Sequence, residues 1–237
     1  MELKDYFIFS FPGVMSLFLA FFSGLAYLKR DSSKPIKLWV IFLGFICLLE
    51  ILASYSVIGY YSKYKYFSFI EESSFRRNNW VYNFYDLLNP IITSVFFMYF
   101  LKNKIYKKVM KVLLFVFSII AIYFQFVKTS FFENSSFVII VGTFLIMGVL
   151  FQFFYEILKS DYILKLKTYL PMYIAVGVFV FNLATAPLSI FSDYYNITNG
   201  NELFVKLQVY IVLISNLFMY SCFTIGFLVC SKKKKSF

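Results

Sequence analysis

The stretch LWVIFLGFICLLEILASYSVIGY, residues 38–60, contains a single acidic or basic residue, Glu50, in 23 positions. An α-helix of this length rises about 35 Å, which is enough to cross the roughly 30 Å of hydrocarbon in a bilayer. We therefore predict that residues 38–60 form a transmembrane helix with a carboxyl group near its middle.

Six further apolar stretches of similar length occur along the 237-residue chain. They predict an all-α fold, a polytopic membrane helical bundle of seven transmembrane helices in a single domain over residues 1–237. Most connections between these stretches are short, so we expect function to reside between helices or in partners. The other predicted helices are residues 6–28, 80–101, 109–127, 133–157, 169–191 and 207–230.

The overall composition, 61% hydrophobic and 15% charged, agrees with a membrane protein and not with a soluble domain. The net charge of +11 would raise the question of nucleic acid in a soluble protein. Here the Lys and Arg clusters lie beside apolar stretches, where they act as topology signals and contact anionic lipid headgroups. The expected partner is therefore the lipid bilayer, and no nucleic acid is expected.

The chain contains no histidine, the commonest general base and a frequent ligand of zinc, copper and haem iron. Its three cysteines, Cys47, Cys222 and Cys230, lie in or at the end of apolar stretches without a metal-ligand spacing. Neither a paired acidic metal motif nor a serine in a glycine-rich turn occurs. We therefore expect no metal, no cofactor, no disulfide framework and no enzymatic activity.

The distribution of basic residues predicts the orientation. If the predicted helices alternate in direction, one side of the membrane receives 16 Lys and Arg and the other side receives seven. The side rich in positive charge is the cytoplasmic side, which places the N-terminus outside and the lysine-rich tail in the cytoplasm. The expected location is therefore the cell membrane, which the chain crosses several times. The cytoplasmic segments are residues 29–37, 102–111, 159–168 and the tail from 231.

A few polar side chains lie at membrane depth. A carboxylate there costs about 3 kcal/mol on insertion scales, so Glu50 is a candidate for a ligand or proton site. Three amides, Asn89, Asn182 and Asn216, fall within about one turn of the same depth and could share one layer with it. Alternatively, the amides and a protonated Glu50 join helices through interhelical hydrogen bonds worth around 1 kcal/mol each.

The predicted third helix carries Asn83, Asp86 and Asn89 at three-residue spacing, which keeps them on one stripe of the helix. Asp86 would lie roughly one turn further outward than Glu50. Pro90 frees a backbone carbonyl in the preceding turn and can bend the helix. These features predict a polar cavity that opens outward, formed by the candidate residues Glu50, Asn83, Asp86, Asn89, Asn182 and Asn216.

Two functions stay open at this point. A sensory, signalling or accessory module would pass a membrane event to a cytoplasmic or membrane protein partner, and a homo-oligomer is compatible with either function. A proton- or cation-coupled transporter of small solutes would use Glu50 and Asp86. A retinal-type photoreceptor is excluded, because it needs a lysine in the middle of the last helix and residues 207–230 contain none.

Several sequence patterns resemble a group of small, uncharacterised seven-helix integral membrane proteins of Bacteroidota-type bacteria. The resemblance rests on NNWVYNFY at 78–85, on Glu50, and on NLFMY at 216–220 followed by GFL at 226–228 and a basic tail. It spans most of the chain but includes no catalytic motif. Members of that group are often encoded beside sensor kinases, so the resemblance implies a signalling partner and not an activity of the chain itself.

Overall fold

The computed structural model describes the backbone of residues 3–128, 131–191 and 202–231. Side chains are described over the same ranges except for residues 3–9 and residue 202. The lysine-rich tail at 232–235 and most of the 192–206 connection, both used to predict the orientation, lie outside the described residues.

Regular structure in these ranges is helical throughout, which confirms the all-α prediction. Short 3-10 segments occur in the connections at Ser68–Ile70, Ser74–Arg76 and Asp161–Thr168, and Phe124–Lys128 form a π-helical turn. The α-helices are α1 (Leu3–Leu28), α2 (Lys34–Tyr61), α3 (Asn79–Met98), α4 (Lys104–Tyr123), α5 (Ser136–Leu158), α6 (Leu170–Ile190) and α7 (Glu202–Ser231).

Helix α4 begins five residues before the predicted start at 109, inside the basic stretch. Asn103 caps it, because its side chain accepts a hydrogen bond from the backbone N–H of Tyr106 at 3.0 Å. The carboxylate of Glu156, in the last turn of α5, accepts hydrogen bonds from the backbone N–H groups of Lys102 and Asn103. These contacts fix the turn between α3 and α4 and explain why α3 ends at Met98 and not at 101.

Six of the helices, all except α3, are long and apolar enough to cross a membrane. They indicate a membrane protein, because so much apolar surface on separate helices needs a hydrocarbon phase around it. Helix α3 is less apolar, since Asn83, Asp86 and Asn89 lie in its sequence. It is nevertheless 20 residues long and packs against α2, α4 and α5.

The helix contacts close a ring in the order α1, α2, α3, α5, α6 and α7, with α7 packed against α1. Helix α4 lies outside this ring and packs on α3 and α5. Large side chains fill the interior of this ring of helices. The Trp39 side chain is tilted against Phe96, with 4.8 Å between their centroids, and meets Phe223 edge to face at 5.5 Å. Helix α4 accordingly exposes many apolar residues, such as Phe115, which is 67% exposed.

Helices α3 and α5 approach each other closely at one glycine. A Cβ atom added to Gly142 would lie 2.5 Å from Cγ of Pro90, well inside van der Waals contact. The proline ring is rigid, so it cannot move aside as a flexible side chain would. This contact could not be predicted from the sequence, because Gly142 belongs to no GxxxG pattern.

We expect Gly142→Ala to force α3 and α5 apart and to destabilise the protein by about 1–3 kcal/mol, the usual cost of overpacking. Thermal unfolding of the detergent-solubilised protein measures this effect. Gly148→Ala, on the same helix, is the matched control, because its added Cβ would meet only the Tyr106 hydroxyl at 3.6 Å. Equal unfolding temperatures for the two variants would show that α3 and α5 are not in close contact at Gly142.

Candidate functional site

The main polar cavity lies between α1, α2, α3 and α7 and has a volume of about 530 Å³. This is within the range of roughly 300–1,000 Å³ that is typical of small-molecule sites. Apolar side chains of α1 and α7 form much of its wall. Its polar lining consists of Ser10, Glu50, Tyr82, Gln208, Asn216 and Tyr220, and we call it the Glu50 cavity.

Glu50 supplies the acidic group of this cavity. Its Oε2 accepts a hydrogen bond from the Tyr82 hydroxyl at 3.4 Å, which is long for an O–H···O contact and therefore weak. No other hydrogen bond joins Glu50 to a described residue. Since none of the described lining residues is basic, the carboxyl group has capacity to bind a donor or a cation inside the cavity.

The cavity lies towards one end of the bundle. α1, α3 and α7 begin at that end and α2 finishes there, so Ser10, Tyr82 and Gln208 come from first turns or early parts of their helices. The basic connections 29–33, 99–103 and 159–169 lie at the other end, which we call the basic end. The Glu50 cavity therefore lies away from the basic end, and its opening to the outer side stays a prediction.

The 61–79 connection folds over the last turns of α2 without lining the Glu50 cavity. The Tyr55 hydroxyl donates a hydrogen bond to the Phe75 carbonyl at 2.6 Å, and the Ser56 hydroxyl donates to the Arg76 carbonyl at 2.9 Å. The Trp80 indole N–H donates to the Tyr55 oxygen at 2.8 Å. This connection therefore positions the start of α3, and with it Tyr82.

A second, smaller void lies deeper in the ring, with a volume of about 20 Å³. Asn89 and Asn182 both line it, as the predicted shared layer requires, and Tyr220 lines both this void and the Glu50 cavity. The indole N–H of Trp39, also in the lining, has no hydrogen-bond partner among the described residues. A void of this size and polarity has room for one water molecule.

The two asparagines are partly satisfied by local hydrogen bonds. The Asn182 side-chain amide donates to the Val178 carbonyl one turn earlier at 2.8 Å, and Asn182 is only 4% exposed. Asn89 Oδ1 accepts a hydrogen bond from the Thr93 hydroxyl at 3.1 Å. The alternative prediction was that the amides join helices through hydrogen bonds. The hydrogen bonds of Asn89 and Asn182 instead lie within one helix each.

Asp86 lies between the two cavities along α3. Tyr82, Asp86, Asn89 and Thr93 recur at spacings of four, three and four residues, so they share one face of the helix. Tyr82 reaches Glu50 from this face and Asn89 lines the deeper void. Asp86 is half-buried and forms no hydrogen bond with the part of the chain that the structure describes.

Asn83 is on a different side of α3 from Glu50. It is completely buried, and its side-chain amide donates to the backbone carbonyls of Phe131 and Glu133 at 2.6 and 3.1 Å. The buried Gln125 side chain, in the π-helical turn after α4, donates to the Asn83 carbonyl at 3.1 Å. Asn83 therefore holds the connection between α4 and α5, and the structure does not bring it into the Glu50 cavity.

Four polar residues of the cavity were not predicted from the sequence: Ser10, Tyr82, Gln208 and Tyr220. Tyr82 precedes Asp86 by one helical turn, and this spacing could have placed it on the polar face of α3. Gln208 stands in the early part of α7 and Tyr220 follows Asn216 by four residues, so both could have been found on the face that carries Asn216. The two tyrosines were hidden by their type, because tyrosine is common near membrane interfaces.

No group of three metal-binding side chains occurs among the described residues. Comparison with known protein families, with curated proteins and with solved structures gave no match. The fold and the cavity define the class of the protein as an α-helical membrane protein with a polar cavity between its helices. The resemblance to seven-helix proteins of Bacteroidota-type bacteria stays a prediction.

We expect Asn83→Leu to lower the unfolding temperature, because it removes the donor of the two hydrogen bonds to the carbonyls of Phe131 and Glu133. Each such hydrogen bond contributes about 0.5–1.5 kcal/mol to stability, so the expected loss is about 1–3 kcal/mol. Asn216→Leu is the matched control, since the Asn216 side chain faces the cavity and forms no hydrogen bond with a described residue. A larger loss of stability in the control would contradict the structural role of Asn83.

Proposed function

We propose that the protein is a sensory or accessory module of the cell membrane that binds a small cationic ligand, such as an amine, in the Glu50 cavity and acts on a cytoplasmic partner. In this proposal α3 also spans the membrane, giving seven spans with the N-terminus outside and the C-terminus in the cytoplasm. The twenty residues of α3 rise about 30 Å, which supports a full span.

The observation that carries the proposal is an acidic group in a ligand-sized cavity without a basic residue in its described lining. A carboxylate in a medium of low dielectric constant needs a positive partner or a proton. A small amine would supply the charge, and Asn216, Gln208 and Tyr82 would supply further hydrogen bonds. Amide and hydroxyl groups orient such a ligand without adding charge.

The aromatic layer below the cavity supports a receptor in preference to an open channel. Trp39, Phe96, Phe223 and Tyr220 are almost completely buried and separate the Glu50 cavity from the basic end. A ligand that enters from the opposite end would stop at this layer. Ligand binding could still reach the basic end through the packing of α7 against α1 and α6.

A contact at the basic end supports a connection to a partner there. The Arg30 guanidinium, in the turn between α1 and α2, donates a hydrogen bond to the carbonyl of Ser231, the last residue of α7. Two of the four helices that line the Glu50 cavity, α1 and α7, are thus joined by this contact at the end where the basic connections lie. A shift of α7 against α1 would change the surface offered to a cytoplasmic partner.

We expect Glu50→Gln to weaken binding of a small amine by about 10- to 100-fold, the loss expected for one charge-assisted hydrogen bond. A panel of small primary amines, tested by thermal shift and calorimetry on the detergent-solubilised protein, measures this. Glu71→Gln removes the same charge from an exposed position in the 61–79 connection and should change nothing. Equal affinities in the two variants, or no binding of any amine by the wild type, would contradict the proposal.

A proton- or cation-coupled transporter is the second candidate, favoured by the polar face of α3. Tyr82, Asp86, Asn89 and Thr93 continue from the Glu50 cavity to the deeper void, so polar groups extend beyond the ligand cavity. In a transporter, Glu50 and Asp86 would carry the coupled proton or cation along this face.

Flux measurements in liposomes distinguish the two candidates. For the sensory module, we expect wild-type protein not to dissipate a proton gradient or a sodium gradient, with or without an amine that it binds. Flux in the wild type that Glu50→Gln abolishes would instead establish the transporter. Glu71→Gln again serves as the control for the loss of one acidic group.

A further inference from the structure

A separate cavity of about 500 Å³ lies between α3 and α4, outside the ring of helices. Its walls are apolar, formed by Ile91, Val95 and Met98 of α3 and by Leu114 and Phe115 of α4. We call it the α3–α4 groove. Since α4 is on the outside of the bundle and Phe115 is 67% exposed, the groove faces the surrounding lipid.

Two lysines, Lys107 and Lys111, lie in the wall of the groove near the basic end. They are one turn apart on α4 and share a face with Leu114 and Ser118, further along the helix. The groove is therefore cationic at one end and apolar along the rest of its length. The side chains of Lys104 and Lys108 belong to the same helix but do not line it.

The direction of α4 places both ammonium groups at the level of the lipid headgroups. Side chains of a helix lean towards its N-terminus, and α4 begins at the basic end. Lysine also extends its flexible chain along apolar surface to bring the charge to water. From Lys107 to Ser118 the helix rises about 16 Å, so the apolar part of the groove extends far into the hydrocarbon layer.

The acidic side chain at the nearby end of α5, Glu156, attracts Lys107 electrostatically but forms no ion pair with it. Glu156 already accepts hydrogen bonds from the backbone of Lys102 and Asn103 and from the Gln152 amide. Neither Lys107 nor Lys111 forms an ion pair with a described residue. The two ammonium groups consequently have capacity for an external anion.

We propose that the α3–α4 groove is a binding site for one anionic phospholipid, with its phosphate on Lys107 and Lys111 and an acyl chain along Ile91, Val95 and Leu114. The charge of the lysines complements the phosphate, and the apolar length fits a chain that lies parallel to the helices. The two charges would meet at the edge of the hydrocarbon layer. There, salt screens the attraction between phosphate and ammonium less than it does in open water.

Native mass spectrometry of the protein from detergent, titrated with dioleoyl phosphatidylglycerol or with dioleoyl phosphatidylcholine, tests the proposal. The wild type should retain one phosphatidylglycerol at concentrations where phosphatidylcholine dissociates. Lys107→Gln combined with Lys111→Gln should weaken that binding by roughly tenfold or more. The matched control is Lys104→Gln with Lys108→Gln, which makes the same change in charge on the same helix and should leave binding intact.

Other occupants give distinct results. Equal retention of the two lipids, or equal losses in the two lysine pairs, would contradict a specific phospholipid site. Displacement of the lipid by glycerol 3-phosphate alone would show a phosphate site that does not use the apolar groove. A dimer that excludes lipid and dissociates on Val95→Trp would show that a second copy of the chain occupies the groove, and would also overturn the proposal.

Discussion

The structure depends on one constraint: in hydrocarbon, each backbone amide must find its partner inside its own helix. The apolar helices satisfy it, and their length follows from the thickness of the bilayer. The same constraint makes polar side chains expensive, so they collect where they can face one another or water. Glu50, Tyr82 and Asn216 are placed by that requirement, because they line one cavity and do not face lipid.

Much of the fold follows from the sequence because apolar stretches of about twenty residues have few alternatives to a helix across the membrane. The ends of the helices were harder to predict, since they depend on contacts between distant residues. α4 begins at Lys104 because Asn103 caps it and because Glu156 of α5 holds the preceding turn. Neither contact can be read from the hydropathy of the chain.

The candidate site was predictable in its types of residue but not in its grouping. Helical spacing placed Asn83, Asp86 and Asn89 on one stripe, yet Asn83 lies about 60° from Asp86 around an ideal helix. That angle is enough for its side chain to reach the Phe131 and Glu133 carbonyls instead of the cavity. Which neighbour each face meets depends on the order of helices around the ring, and a single sequence does not contain that order.

The order of helices also assigns different surroundings to the two ends of the bundle. The ring encloses the Glu50 cavity at one end, whereas α4 remains outside and forms a cationic groove at the other. Aromatic side chains fill the space between, with Trp39 in contact with both Phe96 and Phe223. A ligand inside the ring and a lipid outside it would thus act on different helices, meeting only at α3.

Thiol labelling in intact cells tests most directly that the Glu50 cavity opens to water on the outer side. In a chain whose three native cysteines are replaced by alanine, Asn216→Cys should react with a membrane-impermeant maleimide, because residue 216 lines the cavity. Ile214→Cys, two residues away on the exposed face of α7, should stay unlabelled in the lipid. Labelling of residue 216 only in inside-out vesicles, or of neither residue, would contradict the account.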